Sequence, residues 1–67
     1  MLTIEVEQED DGRWIAEVTA LPGTLAYGTS EAEARCRAAA LALRVIADRM
    51  DNDEPVPAEA RGLFAPA

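Results

Sequence analysis

Leu2-Thr3-Ile4-Glu5-Val6-Glu7, the turn residues Asp10-Asp11-Gly12, and Trp14-Ile15-Ala16-Glu17-Val18-Thr19-Ala20-Leu21 form the stretch that decides the fold. Leu2, Ile4 and Val6 alternate with Thr3, Glu5 and Glu7, the period-2 signature of a half-buried strand. Residues 14–21 are rich in apolar and β-branched types, and the acidic, glycine-ended segment between the two runs reads as a hairpin loop. The register follows from the pattern. A two-residue loop at Asp11-Gly12 places Val6 opposite Glu17 and Ile4 opposite Thr19, mixing apolar and polar faces. A three-residue loop, 10–12, places Val6 opposite Ala16, Ile4 opposite Val18 and Leu2 opposite Ala20, with Gly12 at the left-handed position that such loops need. A slip of one residue turns every side chain to the other face, so the pattern selects the three-residue loop.

Working outward, Leu21-Pro22-Gly23-Thr24 carries Pro and Gly at the two central positions of a type II turn. A short third strand follows at 25–27 and ends at Gly28. Ser30 and Glu33, three apart, form a capping box that opens a helix expected over 31–50. Pro55 and Pro57 prevent its continuation. The tail, whose apolar anchors are Val56, Leu63 and Phe64, reads as an edge strand or a loop. The expected fold is α+β: a three-stranded antiparallel sheet, with a short fourth strand from the tail as the variant, packed on one long helix. That order is β-β-β-α(-β), with residues 1–57 as the domain and 58–67 as a C-terminal tail. There is no internal repeat.

Composition limits the chemistry. A chain of 67 residues buries only about 60% of the surface its unfolded form exposes, so its core is small. An apolar content of 49% is nevertheless too high for a disordered segment. Thirteen acidic residues against six basic ones give a net charge of -7, the basic residues are all Arg, and there is no His. A histidine general base, an imidazole metal ligand and a Schiff-base lysine are thereby excluded. The expectation is a protein without catalytic residues or cofactor, not an enzyme. Cys36, alone, cannot form an internal disulfide. Met1-Leu2-Thr3-Ile4-Glu5 lacks the basic start of a signal peptide, and no run of 18 apolar residues would span a membrane. A cytoplasmic location is expected. The acidic excess disfavours direct nucleic-acid binding and favours a basic partner.

On the helix, Cys36, Ala39, Leu43, Ile46, Ala47 and Met50 share one face, expected to pack on the sheet with Cys36 as a core residue. Ala34, Ala38, Leu41 and Val45 make a second apolar ridge roughly opposite. One three-stranded sheet covers one side of a helix, so this ridge is expected to be covered by the tail or by a second copy in a dimer or tetramer. Glu31–Arg35 and Glu33–Arg37 are spaced for ion pairs in the better order, Arg44–Asp48 and Arg49–Asp53 in the weaker one.

Most candidate sites have plain readings. Glu7-Gln8-Glu9-Asp10-Asp11-Gly12 lacks the alternating ligand spacing of a calcium loop and reads as a solvated hairpin, so no metal site is expected. Ser30 is a helix cap without a basic partner, and Trp14 is a packing residue at the end of the sheet. The outer sheet face is different. Thr3, Glu5, Glu7, Ile15, Glu17 and Thr19 point there, with Glu5 opposite Glu17, and like charges facing across strands are destabilising. Paired carboxylates can support acid–base or metal chemistry, but here they are expected on an open face without a pocket. Glu5, Glu7, Ile15 and Glu17 are therefore read as a partner-binding surface that meets basic side chains.

Four separate segments carry a family resemblance. Asp11-Gly12-Arg13-Trp14-Ile15-Ala16-Glu17-Val18, Leu21-Pro22-Gly23, and Ala26-Tyr27-Gly28-Thr29 with Glu33-Ala34 are followed by Ala40-Leu41-Ala42-Leu43-Arg44-Val45-Ile46-Ala47-Asp48-Arg49 and Glu54-Pro55-Val56-Pro57. Together, over about residues 1–57, they resemble the HicB family of antitoxins. The resemblance implies a β-β-β-α domain similar to a truncated ribonuclease-H-like fold. It implies that the chain neutralises a HicA-type toxin, a small basic mRNA-cleaving protein with a double-stranded-RNA-binding-like fold and a catalytic histidine. Many members add a C-terminal DNA-binding module; only about ten residues follow Pro57 here, so direct operator binding is not expected. The truncated fold lacks an intact acidic nuclease site, and no catalytic residue carries over. The expected function is a HicB-like antitoxin acting by occlusion. Its alternative is an orphan HicB-like domain, self-associating and structural or regulatory; a carboxylate-dependent nuclease is the rival from another class.

Overall fold

A computed structural model describes residues 1–64 of the chain. Strands β1 (Ile4–Gln8), β2 (Trp14–Val18) and β3 (Leu25–Gly28) form an antiparallel sheet in the order β1-β2-β3, and helix α1 (Glu31–Asp51) packs across it. The fold is β-β-β-α. The β1–β2 register pairs Ile4 with Val18 and Val6 with Ala16, as the three-residue loop requires. Glu9 N–H donates to Arg13 C=O at 2.7 Å to close that loop, and Gly12 takes the left-handed φ of 91°. Both strands are shorter than the alternation extends. Leu2 and Ala20 lie beyond the ladder, although Thr19 N–H still donates to Thr3 C=O at 3.2 Å.

The second turn closes with Thr24 N–H on Leu21 C=O at 2.9 Å, and Gly23 has the positive φ of 86° that a type II turn needs. Leu21, fully buried, and Thr24, nearly so, hold this turn against the core. Ser30 Oγ caps the helix by accepting from Glu33 N–H at 3.1 Å. The Glu33 carboxylate reaches back one residue further than the reciprocal box requires, accepting from Thr29 N–H at 2.9 Å. At the other end Asp53, with φ of 54°, turns the chain left-handed. Glu54 N–H then bonds Arg49 C=O at 2.8 Å and Asp53 N–H bonds Met50 C=O at 3.3 Å, which ends the helix in a Schellman motif.

The helix is rotated from the orientation expected, and of the expected face Ile46 alone is buried. Ala34, Ala38, Ala42 and Ile46 are buried against the sheet, beside Ala16 and Val18, while Cys36, Leu43, Ala47 and Met50 face outward. Cys36 is thus an exposed cysteine, not a core residue. The cause is the approach of Gly28 to the first helical turn: a Cβ at Gly28 would stand 2.5 Å from Ala34 N. With the cap fixed at Ser30, that contact points Ala34 inward and sets the phase of every later turn. Ala34 and Ala38, both fully buried within the protomer, cannot be an oligomer interface, and Leu41 and Val45 are half-buried, with Val45 packed against the core. The tail forms a 3₁₀ helix, Ala58–Leu63, in place of the fourth strand, and inserts Ala60 into the core. Residues 65–67 of the 58–67 tail lie outside the described residues. Among the described residues, no helix is long and apolar enough to cross a membrane.

Candidate protein-binding face

The face of the sheet turned away from α1 carries the acidic residues. Strand alternation sends Ile4, Val6, Ala16 and Val18 toward the helix and Glu5, Glu7, Ile15 and Glu17 to the outside. Two cross-strand rows result. Glu5, Glu17 and Leu25 form one, and Glu7, Ile15 and Tyr27 the other. The structure therefore brings together all four residues read from the sequence as a partner-binding surface. Glu5 and Glu17 are directly opposed in the ladder, so their carboxylates repel across a Cβ spacing of about 5 Å.

A shallow groove of ≈ 430 Å³, lined by Glu5, Val6, Glu7, Ile15, Glu17 and Leu25, runs over these rows. Leu25 and Tyr27 were not singled out in the sequence, although Ala26 between them already marks a strand with both flanking residues on the outer face. Ile15 and Glu17 are half-buried, and Leu25 is about one-third exposed at 37%. The groove thus has an apolar floor beneath a carboxylate rim.

Cations are few here and already engaged. Arg13 closes one end, with its guanidinium carbon 4.6 Å from the centre of the Tyr27 ring and its Nε 2.8 Å from Asp11. Asp11 also accepts from Arg13 N–H, and this backbone hydrogen bond, ahead of the guanidinium charge, holds its carboxyl below the usual carboxylate value. The acidic loop is therefore an Asx turn closed by Arg13. Among the described residues, no carboxylate of Glu5, Glu7 or Glu17 has an arginine within salt-bridge distance. Nor do three acidic side chains converge there on a point that would hold a metal ion.

Two of the helix's arginines serve its own first half. Arg35 pairs with Glu31 at 3.1 Å and Arg37 with Glu33 at 3.5 Å, while Arg37 also donates to Tyr27 C=O at 3.1 Å. Glu33 is held below the usual carboxylate value first by the Thr29 N–H, which outweighs the opposing effect of burial, and then by the lesser effect of the Arg37 charge. The expected Arg44–Asp48 and Arg49–Asp53 pairs are not formed among the described residues. Asp53 has left the helix in the left-handed turn, and Asp48 instead receives the Asn52 side chain. Trp14 is half-buried against the core, a packing residue.

Comparison of the chain with family models, with curated proteins and with solved structures returns no match.

Proposed function

We propose that this chain is a HicB-like antitoxin whose outer sheet face binds a small basic RNA-cleaving toxin of the HicA type. The observation that carries the reading is the groove itself: three glutamates without cationic partners stand over Ile15 and Leu25. Such a surface suits arginine or lysine side chains, whose aliphatic stems lie on the apolar floor while their charged ends meet carboxylates. A protein that cleaves RNA presents basic side chains where phosphates sit. Carboxylates placed there would exclude the RNA by occupancy, with no chemistry on the antitoxin's side. The free domain also stores repulsion between Glu5 and Glu17 that a partner arginine would relieve. A truncated ribonuclease-H-like fold and a cytoplasmic location belong to the same reading.

The test is co-expression with whatever small protein the neighbouring gene encodes, followed by an RNA-cleavage assay. The reading expects a complex that co-purifies and RNA that stays intact. A cleaving partner that ignores this chain contradicts it, and metal-dependent RNA cleavage by this chain, abolished by Glu5→Gln, would favour the nuclease instead. The exposed apolar side of the helix favours one second reading, an orphan domain that self-associates.

A further inference from the structure

The side of α1 opposite the sheet is apolar and has no covering element among the described residues. Leu43 and Met50 are each 54% exposed, with Ala47 between them on the same stripe. Seven residues separate Leu43 from Met50, two helical turns, so both project in one direction. Beside the stripe stand Arg44 and Asp51, and neither is in an ion pair among the described residues.

We propose that this stripe binds a second copy of the chain, as an antiparallel helix pair about a two-fold axis beside Ala47. The arrangement is independent of the antitoxin reading. In that register Leu43 of one copy meets Met50 of the other, twice, and alanine at the axis lets the backbones approach. A two-fold axis across antiparallel helices brings like flanks together, so Arg44 of each copy lies against Asp51 of the other. Both charges left unpaired in the protomer then find opposite partners. A parallel pair in register would instead bring unlike flanks together and leave the Arg44 and Asp51 side chains of the two copies on opposite sides of the seam. The buried ridge at Ala34 and Ala38 has no surface left for this role.

The footprint sets the strength. The 21-residue helix is about 30 Å long and about 10 Å wide, which offers about 300 Å² per copy. Standard stable interfaces bury about 800 Å² per partner, and each copy carries a net charge of -7. The dimer is accordingly weak and reversible, with a Kd of about 10⁻⁵ to 10⁻⁴ M, well short of the affinities usual for interfaces of standard size.

Sedimentation equilibrium from about 10 μM to about 1 mM should show the mass rising from 7.2 kDa toward twice that value, the range bracketing the expected Kd. Leu43→Glu and Arg44→Asp should each raise Kd at least about tenfold while far-UV circular dichroism stays unchanged. Adding Asp51→Arg to Arg44→Asp should recover most of the loss. With Cys36→Ser in the background, Ala47→Cys should cross-link to itself when oxidised with diamide. Facing Cα atoms at the axis lie about 3.5–5.5 Å apart for helices packed at 8–10 Å, within disulfide range. The two Cys36 thiols, about 30 Å apart in this register, should not cross-link. A chain that stays monomeric at the highest concentration overturns the proposal. So does a dimer that is indifferent to Leu43→Glu and fails to cross-link through position 47.

Discussion

Replacing Gly28 with alanine tests what sets the helix on the sheet. The added Cβ would stand 2.5 Å from Ala34 N and 3.0 Å from both Ala34 Cα and Glu33 C, all backbone atoms that no rotamer change can move. Restoring normal contact requires the first helical turn to lift by about 1 Å, and a gap of that size forfeits about a quarter to a half of each dispersion contact it opens. The contacts at risk are those of Ala16, Ala34 and Ala38, which are fully buried. Overpacking costs about 1–3 kcal/mol, and a backbone obstacle puts this case at the upper end. Alanine in a strand regains about 0.5–1 kcal/mol over glycine. The net loss is about 2 kcal/mol, a fall in Tm of about 8–16 °C for a domain of this size. Its whole stability is of the order of 3–10 kcal/mol, so the loss is large. Thermal and urea unfolding by circular dichroism would measure it, with Gly62→Ala, whose Cβ meets nothing within 4 Å, as the neutral control. Removing the Ala34 methyl as well should restore nothing, because the collision is with the backbone. A Gly28→Ala protein that melts within about 2 °C of wild type would refute the close approach as the feature that fixes the helix.

Glu17→Lys turns the like-charged Glu5–Glu17 pair into an attractive one and should raise the stability of the free domain by about 0.2–1 kcal/mol, read as a higher urea midpoint; no rise would remove the stored repulsion from the account. Asp53→Gly should add about 0.5 kcal/mol, since it removes a left-handed cost of about 1 kcal/mol and incurs about 0.5 kcal/mol of glycine chain entropy; a lower Tm would contradict the left-handed cap. The carboxyl of Glu33 titrates below its unfolded value, so the stability it contributes is complete above the unfolded value and is lost as pH falls through the folded one. The difference in urea midpoint between wild type and Glu33→Gln should therefore shrink as pH is lowered below about 5, and a constant difference would show that the charge at Glu33 has no part in the cap.

Strand order and register were legible because one alternating pattern and one loop length agree: only the three-residue loop keeps Ile4 and Val6 on the side of Ala16 and Val18. The outer face followed from the same alternation, which is why Glu5, Glu7, Ile15 and Glu17 fall together. Helix phase was not legible. Both sides of α1 are apolar, and the larger residues, Leu43 and Met50, suggest a core that the structure builds from alanines. What decides is the approach of Gly28 to Ala34 N, a contact across the β3–α1 turn that helical periodicity does not record. The tail misled for a similar reason, since Ala60 enters the core through a single 3₁₀ turn without any repeating apolar pattern. Leu25 was overlooked because a strand of four residues alternates too briefly to advertise its outer side.

The central claim, that the acidic sheet face meets a basic partner, is tested most directly by titrating the Glu5→Lys/Glu17→Lys protein with a small protein encoded beside it that cleaves RNA, at two salt concentrations. Close charge pairs at interfaces couple by about 1.5–7 kcal/mol, so losing two carboxylates should weaken binding by at least about a hundredfold. The double variant keeps a like-charged pair, now of lysines, and should stay folded. Wild-type association should slow as salt rises, and RNA protection should vanish with the double variant. If that variant binds and protects as well as wild type at both salt concentrations, the face is solvated surface and the account is wrong.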